Sequence, residues 1–363
     1  SNGDQDVTLQ TGNSTTGSIT ITDGANGNIA ITPNGSGAIQ LDGLSWPTAD
    51  GSSNQVLKTD GSGTLSWTAA SSGASNVNGL SDALIEDNSL YLGQDPSSTT
   101  STAEYNLSVG VTALDAVTTG DANIAIGHAA LSANTTGSGN LAIGYGAYDN
   151  ADTEGNNMAI GRDALGGSIN GGETNIAIGN YSLDANTSGD LNIGLGYVSL
   201  TQNSTGSSNV GIGNSAMQLN QTGSSNTTLG NNSMKSSLSS SYNTAVGAEA
   251  LFDANRTADT DGYNTALGYN AGNTGTNDIT TGNKNTLLGA STAASAAAGT
   301  NQTVIGFGAS GTADNSVTIG NSSVTAWYPG SDDTADLGSN SVEFKDLYID
   351  GTANLDAVDI DAG

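Results

Sequence analysis

Between residues 90 and 320 apolar and polar positions alternate in short bursts that return at nearly constant spacing. Each burst reads Asn, apolar, small, apolar, Gly, then two variable residues, a small residue and Leu, as in Asn123-Ile124-Ala125-Ile126-Gly127-His128-Ala129-Ala130-Leu131. Its glycine stands at Gly93, Gly110, Gly127, Gly144, Gly161, Gly179, Gly196, Gly213, Gly230, Gly247, Gly268, Gly289, Gly306 and Gly320. The steps are mostly 17 residues, with one of 18, two of 21 and a last of 14. A period this short is one coil of a solenoid, which covers its apolar side chains only by stacking on its neighbours.

The residue before the glycine is apolar in every copy, and the residue two earlier is Leu, Ile, Met or Val up to Val210 and Thr from Thr227 to Thr303. Spacing of two is a strand signal that puts both side chains on one bulky face, while Asn, a small residue and Gly share the other. Asn precedes the glycine by four in eleven copies: Asn106, Asn123, Asn140, Asn157, Asn175, Asn192, Asn209, Asn226, Asn243, Asn264 and Asn285. Identical amides stacked about 4.8 Å apart form a structural hydrogen-bonded ladder. The glycine marks the turn between two short strands, and the pairs Ala113-Leu114, Ala130-Leu131 and their equivalents make a second core layer. Turns such as Asn134-Thr135-Thr136-Gly137 close each coil, and the 21-residue steps lengthen these loops without touching the strand phrase.

The pattern predicts an all-β fold: a trimeric parallel β-roll or β-solenoid fibre of about 17-residue coils flanked by small β-rich modules. Small side chains let backbones approach closely, so the flat face is expected to pack against the same coil of other chains, three about one axis. The competing arrangement is a single-chain solenoid with a filled interior.

Four regions follow. Residues 1–46 repeat every ten in Gly17 to Ile21, Gly27 to Ile31 and Gly37 to Leu41, which predicts a narrower β-fibre section. Residues 47–88 hold a small β module, in which Trp67 and the preceding Trp46 are expected to make a satellite core, then a Ser/Ala/Gly linker over 69–75 and a helical turn within 78–87. The repeats occupy 89–323. Residues 324–363 form a capping module, where Val342, Phe344, Leu347 and Ile349 read as strands between acidic turns.

Composition narrows the function classes. The chain has 363 residues, 52 Gly, 5% aromatic residues and a net charge of −29, with 35 acidic residues against 6 basic ones. Large core-filling side chains are scarce, and the fixed phase of the apolar residues argues against disorder. No basic patch exists to neutralise phosphates, so nucleic acid and an anionic membrane surface are poor partners. Such acidity fits a self-repelling particle in a salt-rich medium. Without cysteine there is neither a disulfide framework nor a thiolate metal site, and no apolar run is long enough for a membrane-spanning helix. The chain opens on Ser1 rather than Met, as a processed or partial chain does.

Catalytic patterns are missing from the linear sequence. The single histidine, His128, builds neither a metal site nor a triad and reads as an exposed loop residue. Gly144-Tyr145-Gly146 and Gly194-Leu195-Gly196 lack the βαβ setting of a nucleotide site. No cofactor is expected. Asp332-Asp333 and Asp356 to Asp361 offer oxygen ligands for Ca²⁺ but no EF-hand spacing, so solvated acidic turns are the expectation. Carboxylate pairs for glycoside hydrolysis meet in space, and the sequence singles none out. Trp327 and Tyr328 are candidate receptor contacts, against the commoner role of such aromatics as core.

The Asn-x-Ala-Ile-Gly-x-x-Ala-Leu repeat resembles the head repeats of trimeric autotransporter adhesins, which are left-handed parallel β-rolls wound by three chains. Its 17-residue form with Asn134-Thr135-Thr136-Gly137 turns is more similar to bacteriophage tail fibres. So are the segments Trp46-Pro47-Thr48-Ala49-Asp50-Gly51, Val56 to Trp67 and Asp336 to Gly351. The resemblance covers nearly the whole chain. It implies a non-enzymatic homotrimeric tail fibre on the virion, partnered by other tail proteins and by a host-surface receptor, glycan or outer-membrane component, and not embedded in a membrane. In that family the last of these runs precedes a chaperone that trimerises the fibre and cleaves itself off, which implies such a domain beyond Gly363, removed or part of a longer chain. The alternatives are an adhesin head on a bacterial surface, whose coiled-coil stalk and membrane barrel have no counterpart in these residues, and a polysaccharide-degrading tailspike.

Overall fold

In the computed structural model, the described residues are 7–10, 18–22, 29–33, 36, 39–41, 43–70, 83–93, 96, 102–168, 170–255, 262–328, 337, 339, 341, 342, 344–346 and 348–350. They contain strands and turns and no helix. The chain divides into two compact units, Ser1–Ser81 and Asp82–Gly363.

In the first unit, β1 (Val7–Gln10), β2 (Ser18–Ile21) and β3 (Ile29–Thr32) make an antiparallel meander with Ile19 opposite Ile31 and Ile21 opposite Ile29. The ten-residue period thus supplies β2 and β3, but its third copy folds into a short hairpin, β4 (Gln40–Leu41) on β5 (Leu44–Ser45). Strand β1 precedes the three copies and shares one apolar position with them, Leu9, ten residues before Ile19. The hairpin of β6 (Gln55–Thr59) and β7 (Leu65–Ala69) holds Trp67, whose indole N–H donates to the Ala49 carbonyl at 2.9 Å. Its ring lies over Gly51, where a Cβ would come within 2.7 Å of it. The two tryptophans make no buried satellite core, since Trp46 and Trp67 both remain more than a third exposed.

The second unit is a parallel β-solenoid. Of the span 78–87 in which a helical turn was expected, 78–82 lie outside the described residues, and the rest is instead β8 (Ala83–Glu86), which pairs antiparallel with β9 (Ser89–Leu92) through an Asp87-Asn88 turn. Both turn residues have positive φ, 44° and 59°, the geometry that a two-residue hairpin demands and that Asp and Asn tolerate. From β9 each coil adds one three-residue parallel strand: β10 (Leu107–Val109), β11 (Ile124–Ile126), β12 (Leu141–Ile143), β13 (Met158–Ile160), β14 (Ile176–Ile178), β15 (Ile193–Leu195), β16 (Val210–Ile212), β17 (Thr227–Leu229), β18 (Thr244–Val246), β19 (Thr265–Leu267), β20 (Thr286–Leu288), β21 (Thr303–Ile305) and β22 (Val317–Ile319). Equivalent residues pair throughout, so the register advances by one repeat per coil.

One strand per coil, not two, is a departure from the expected geometry. The Ala-Leu layer runs through a turn whose N–H groups still bond the adjacent coil, as Leu131 to the Ala147 carbonyl at 3.1 Å. Leu114, Leu131, Leu165, Leu183, Leu200 and Leu251 are fully buried there with φ between 49° and 54°. The left-handed conformation costs an L-residue about 1–2 kcal/mol, and burying a leucine returns about 1.5–3 kcal/mol, so the core contact prevails.

The sense of the two strand faces is the opposite of the expectation. The small residues Ala125, Ala142, Ala159 and Ala177 are fully buried inside their own coil, against the leucines of the turn. The bulky pairs such as Ile124 and Ile126 point outward and stay partly exposed. The lumen is tight at this position: a Cβ on Gly211 would lie 3.0 Å from the Ser199 hydroxyl and 3.1 Å from Leu200. The flat face therefore lines a single-chain interior and packs against no other chain.

The interior is plugged at its first coil by Tyr91 of β9, which takes the place of the small residue and is fully buried. Where the coils lengthen to 21 residues, Gly272 replaces the core leucine and Ile279, reaching in from the longer loop, fills the space. Beyond β22 the expected strands are not formed among the described residues, which show only one bridge between Ser339 and Val342. Val342, Phe344 and Ile349 are exposed, and Leu347 lies outside the described residues.

The motif glycine is the tightest point of each coil. Gly144 has φ of 141°, and a Cβ there would fall 2.4 Å from the Gly161 carbonyl oxygen. Gly144→Ala is expected to cost at least about 3 kcal/mol, from a glycine-only conformation plus the clash with backbone. Chemical denaturation followed by circular dichroism measures it; a loss below about 1 kcal/mol would mean that the coils spread apart at little cost.

Candidate functional site

Three features bear on chemistry or contact: the amide column, the outward corner after the glycine, and the region after the last strand. The amides are interior. Asn106 to Asn285 are all buried, and each side chain joins two coils. The Oδ1 of Asn123 accepts the backbone N–H of Asn140 at 2.9 Å, while its Nδ2 donates to the Gly137 carbonyl at 2.9 Å. The same two bonds recur at Asn175, where Oδ1 takes the Asn192 N–H and Nδ2 the Gly189 carbonyl, both at 2.9 Å. Direct amide-to-amide bonds join the column only from Asn209 onward, for example Asn226 Nδ2 to Asn209 Oδ1 at 3.1 Å. Ser89 begins the series by accepting the Asn106 N–H, and Gln302 ends it by donating its own N–H to Asn285. Every polar atom of these buried amides is spoken for by structure.

A second amide column, unread in the sequence, lies seven residues after the glycine. Asn203 donates to Asn186 Oδ1 at 3.0 Å and Asn220 to Asn203 Oδ1 at 2.7 Å, each also bonding the glycine carbonyl three residues on. The signal was the Asn-x-x-Gly spacing of the closing turns. The column stops at Ser237, leaving Asn220 Oδ1 and Ser237 Oγ buried without partners.

Outside, an aromatic and cationic column climbs the corner after the glycine. His128 is exposed and stacks on Tyr145 with ring centroids 5.1 Å apart and planes 8° from parallel. The Arg162 guanidinium lies 5.5 Å from the Tyr145 ring and 5.8 Å from that of Tyr181, which meets Tyr197 edge-on at 6.3 Å. Arg162 is the one Lys or Arg between Lys58 and Lys235, and it also pairs with Asp163 at 3.1 Å. Even so, Tyr145 and Tyr197 remain 56% and 53% exposed.

Asp149, Asp163 and Asp184 share a neighbourhood that the sequence did not reveal. Burial, then the charges of Asp163 and Asp184, raise the Asp149 carboxyl above its ordinary range, and burial, then Asp163, raises that of Asp184. In the same coil Tyr148 fills a leucine position, fully buried, with its hydroxyl bonded by Asn157 Nδ2. Burial, then the charge of Glu154, pushes that hydroxyl's pKa up. Glu154 is itself buried, and accepts the N–H of Thr153 at 3.2 Å and of Gly171 at 2.9 Å, which explains a carboxylate where other coils have glycine. Among the described residues no group of three His, Cys, Asp or Glu is placed to hold a metal ion. The acidic runs Asp332-Asp333 and Asp356 to Asp361 lie outside the described residues.

Trp327 and Tyr328 are 77% and 85% exposed. Trp327 lines a hollow of about 520 Å³ with Val317, Ile319, Leu337, Phe344 and Asp346, whereas Tyr328 does not. Neither is core. No helix among the described residues is long and apolar enough to cross a membrane. No protein family, curated protein or solved structure matches this chain.

Two outcomes are expected from these sites. Ser237→Asn extends the second amide column by one coil, pairing with the orphaned Asn220 oxygen, and is expected to raise stability by about 1 kcal/mol; unchanged or lowered thermal stability contradicts the assignment. For Asp184 the folded chain binds the proton more tightly than the unfolded chain, so its contribution is full below the unfolded value of 3.8 and is lost as pH rises through the raised folded value. Asp184→Asn is therefore expected to raise the melting temperature near pH 7 and to leave it unchanged near pH 3, read by calorimetry at both. An equal gain at both would show that charge is not the cause.

Proposed function

We propose that this chain is a non-enzymatic structural fibre subunit, assembled as a homotrimer through the outward stripe of its solenoid, that carries attachment to a bacterial surface. The observation that supports this reading is the stripe itself. On all fourteen strands from β9 to β22 the residue before the glycine is apolar and turned outward, with Val109, Ile126, Leu229, Leu267 and Leu288 between 36% and 48% exposed. Its neighbour two residues earlier doubles the stripe as far as Val210.

Thirteen coil steps give a stripe roughly 60 Å long, and two columns with their side-chain width make it on the order of 700 Å². Monomers leave patches of a few hundred Å², and one partner in a stable interface contributes roughly 800 Å². A rotation axis along the solenoid closes the assembly while keeping every copy parallel. The resemblance of the repeat to trimeric phage fibres and adhesin heads sets the number at three. The charge of −29 keeps such fibres apart from one another and from anionic polymers, so contact is concentrated on the stripe and on the exposed corners and loops. Threefold copies then multiply weak receptor contacts.

Ile143→Asp together with Ile160→Asp tests the assembly, because both side chains are outside the coil and leave its core intact. Sedimentation is expected to give three chain masses for the parent and one for the double variant, with unchanged circular dichroism. A parent that sediments as one chain sinks the reading. Antibodies against the chain that decorate phage tails in electron micrographs support the fibre assignment; decoration of a bacterial envelope in its place transfers the reading to an adhesin head.

A further inference from the structure

The two outward columns differ in a way that the coil itself does not require. The column next to the glycine is apolar from Leu92 to Ile319 without a break. The other is apolar on eight successive strands, switches to threonine on five, Thr227, Thr244, Thr265, Thr286 and Thr303, and returns to Val317 on the last. The switch persists through both 21-residue coils, so it is independent of loop length. All five side chains are at least partly exposed, and none of their hydroxyls bonds another described residue of the chain. The adjacent inward Thr228, by contrast, donates its hydroxyl to the Val210 carbonyl at 3.1 Å. The coil core thus has no use for these five hydroxyls.

We propose that this threonine block is an axial ruler, which fixes the copies of the chain in one parallel register when their stripes meet. The inference rests on the oligomeric reading above and names how its partner, a second copy of the same stripe, is aligned. A stripe of identical apolar pairs repeats every coil, so copies that slide past one another by about 4.8 Å recover nearly all their contacts. Shape alone leaves many registers close in energy. With the block present, each coil of slip between two chains sets one more threonine hydroxyl of each against hydrocarbon, at opposite ends of the overlap, where it loses water and gains no partner. In register, threonine faces threonine, and the hydroxyls satisfy one another or share water across the axis. The block spans the ninth to thirteenth of fourteen strands. An antiparallel copy would therefore lay it on the wholly apolar second to sixth strands, which excludes that orientation as well. A polar position in an apolar seam sets register in coiled coils by the same logic.

The chain has no cysteine, so a single introduced thiol carries one spin label cleanly. Thr136→Cys and Thr222→Cys, both on exposed turns away from the strands, report the spacing between equivalent residues of the assembled full-length chain by pulsed electron paramagnetic resonance. The parent is expected to give one narrow distance at each site. Replacing all five threonines by valine, nearly isosteric and strand-compatible, is expected to keep the oligomer while adding longer distances offset by multiples of about 4.8 Å along the axis. Replacing all five by serine, which restores the hydroxyls, is expected to return the single distance. If the valine variant keeps one narrow distance at both sites, the block sets no register and the inference is overturned. A parent that sediments as one chain overturns the oligomeric reading instead, so the two failures are told apart.

Discussion

The bond from an asparagine side chain to the backbone of the next coil is the constraint on which the solenoid depends. A 17-residue coil with one three-residue strand leaves much of its backbone in turns, and turns buried against a core must find partners for their N–H and C=O groups. The motif amide supplies both at once, accepting an N–H from the coil ahead and donating to a carbonyl that closes its own coil. Removing it would orphan two backbone groups rather than one side chain. The glycine completes the arrangement by letting neighbouring backbones meet where any side chain would intrude.

This economy of interior space decides what the exterior looks like. A lumen already filled by leucine, amide and glycine admits only Ala, Gly, Ser or Thr from most strands, and the larger Leu287 and Val304 enter only near its end. The bulky residues of the alternating phrase are consequently displaced outward, into a stripe that the single chain does not cover. Coil size and the proposed assembly are thus linked: a narrow coil stabilised by backbone bonding relies less on hydrophobic burial inside and has apolar area left for contact outside.

Much of the fold was legible because its signals are periodic. Spacing gave the coil, the glycine its position, and Ala113-Leu114 and its equivalents the core layer. The sense of the faces was not, because a period of two defines two faces without saying which is inside, and the common habit of large apolar residues points the wrong way here. Tyr91 held the clue: a large ring at a small-residue position in the first coil fits only an inward column at an open end. Over 83–87 the helical turn foreseen before the repeats gives way to a strand and an Asp87-Asn88 hairpin turn that the sequence could have shown, and after Ile319 the described residues carry the foreseen alternation without a sheet to pair with. The candidate contacts fared unevenly, since the pairing of Trp327 with Leu337 and Phe344 and the gathering of Asp149, Asp163 and Asp184 are products of the fold with no linear spacing to announce them.

The hairpin that seals the first coil gives the solenoid a direction. With β8 paired to β9 and Tyr91 filling the lumen, the first end is filled by a side chain, while at the other end β22 pairs, among the described residues, only with β21. Each coil touches mainly the one about 17 residues before it. A chain leaving the ribosome N-terminus first therefore meets a finished template for every new turn, and its winding can keep pace with its own synthesis.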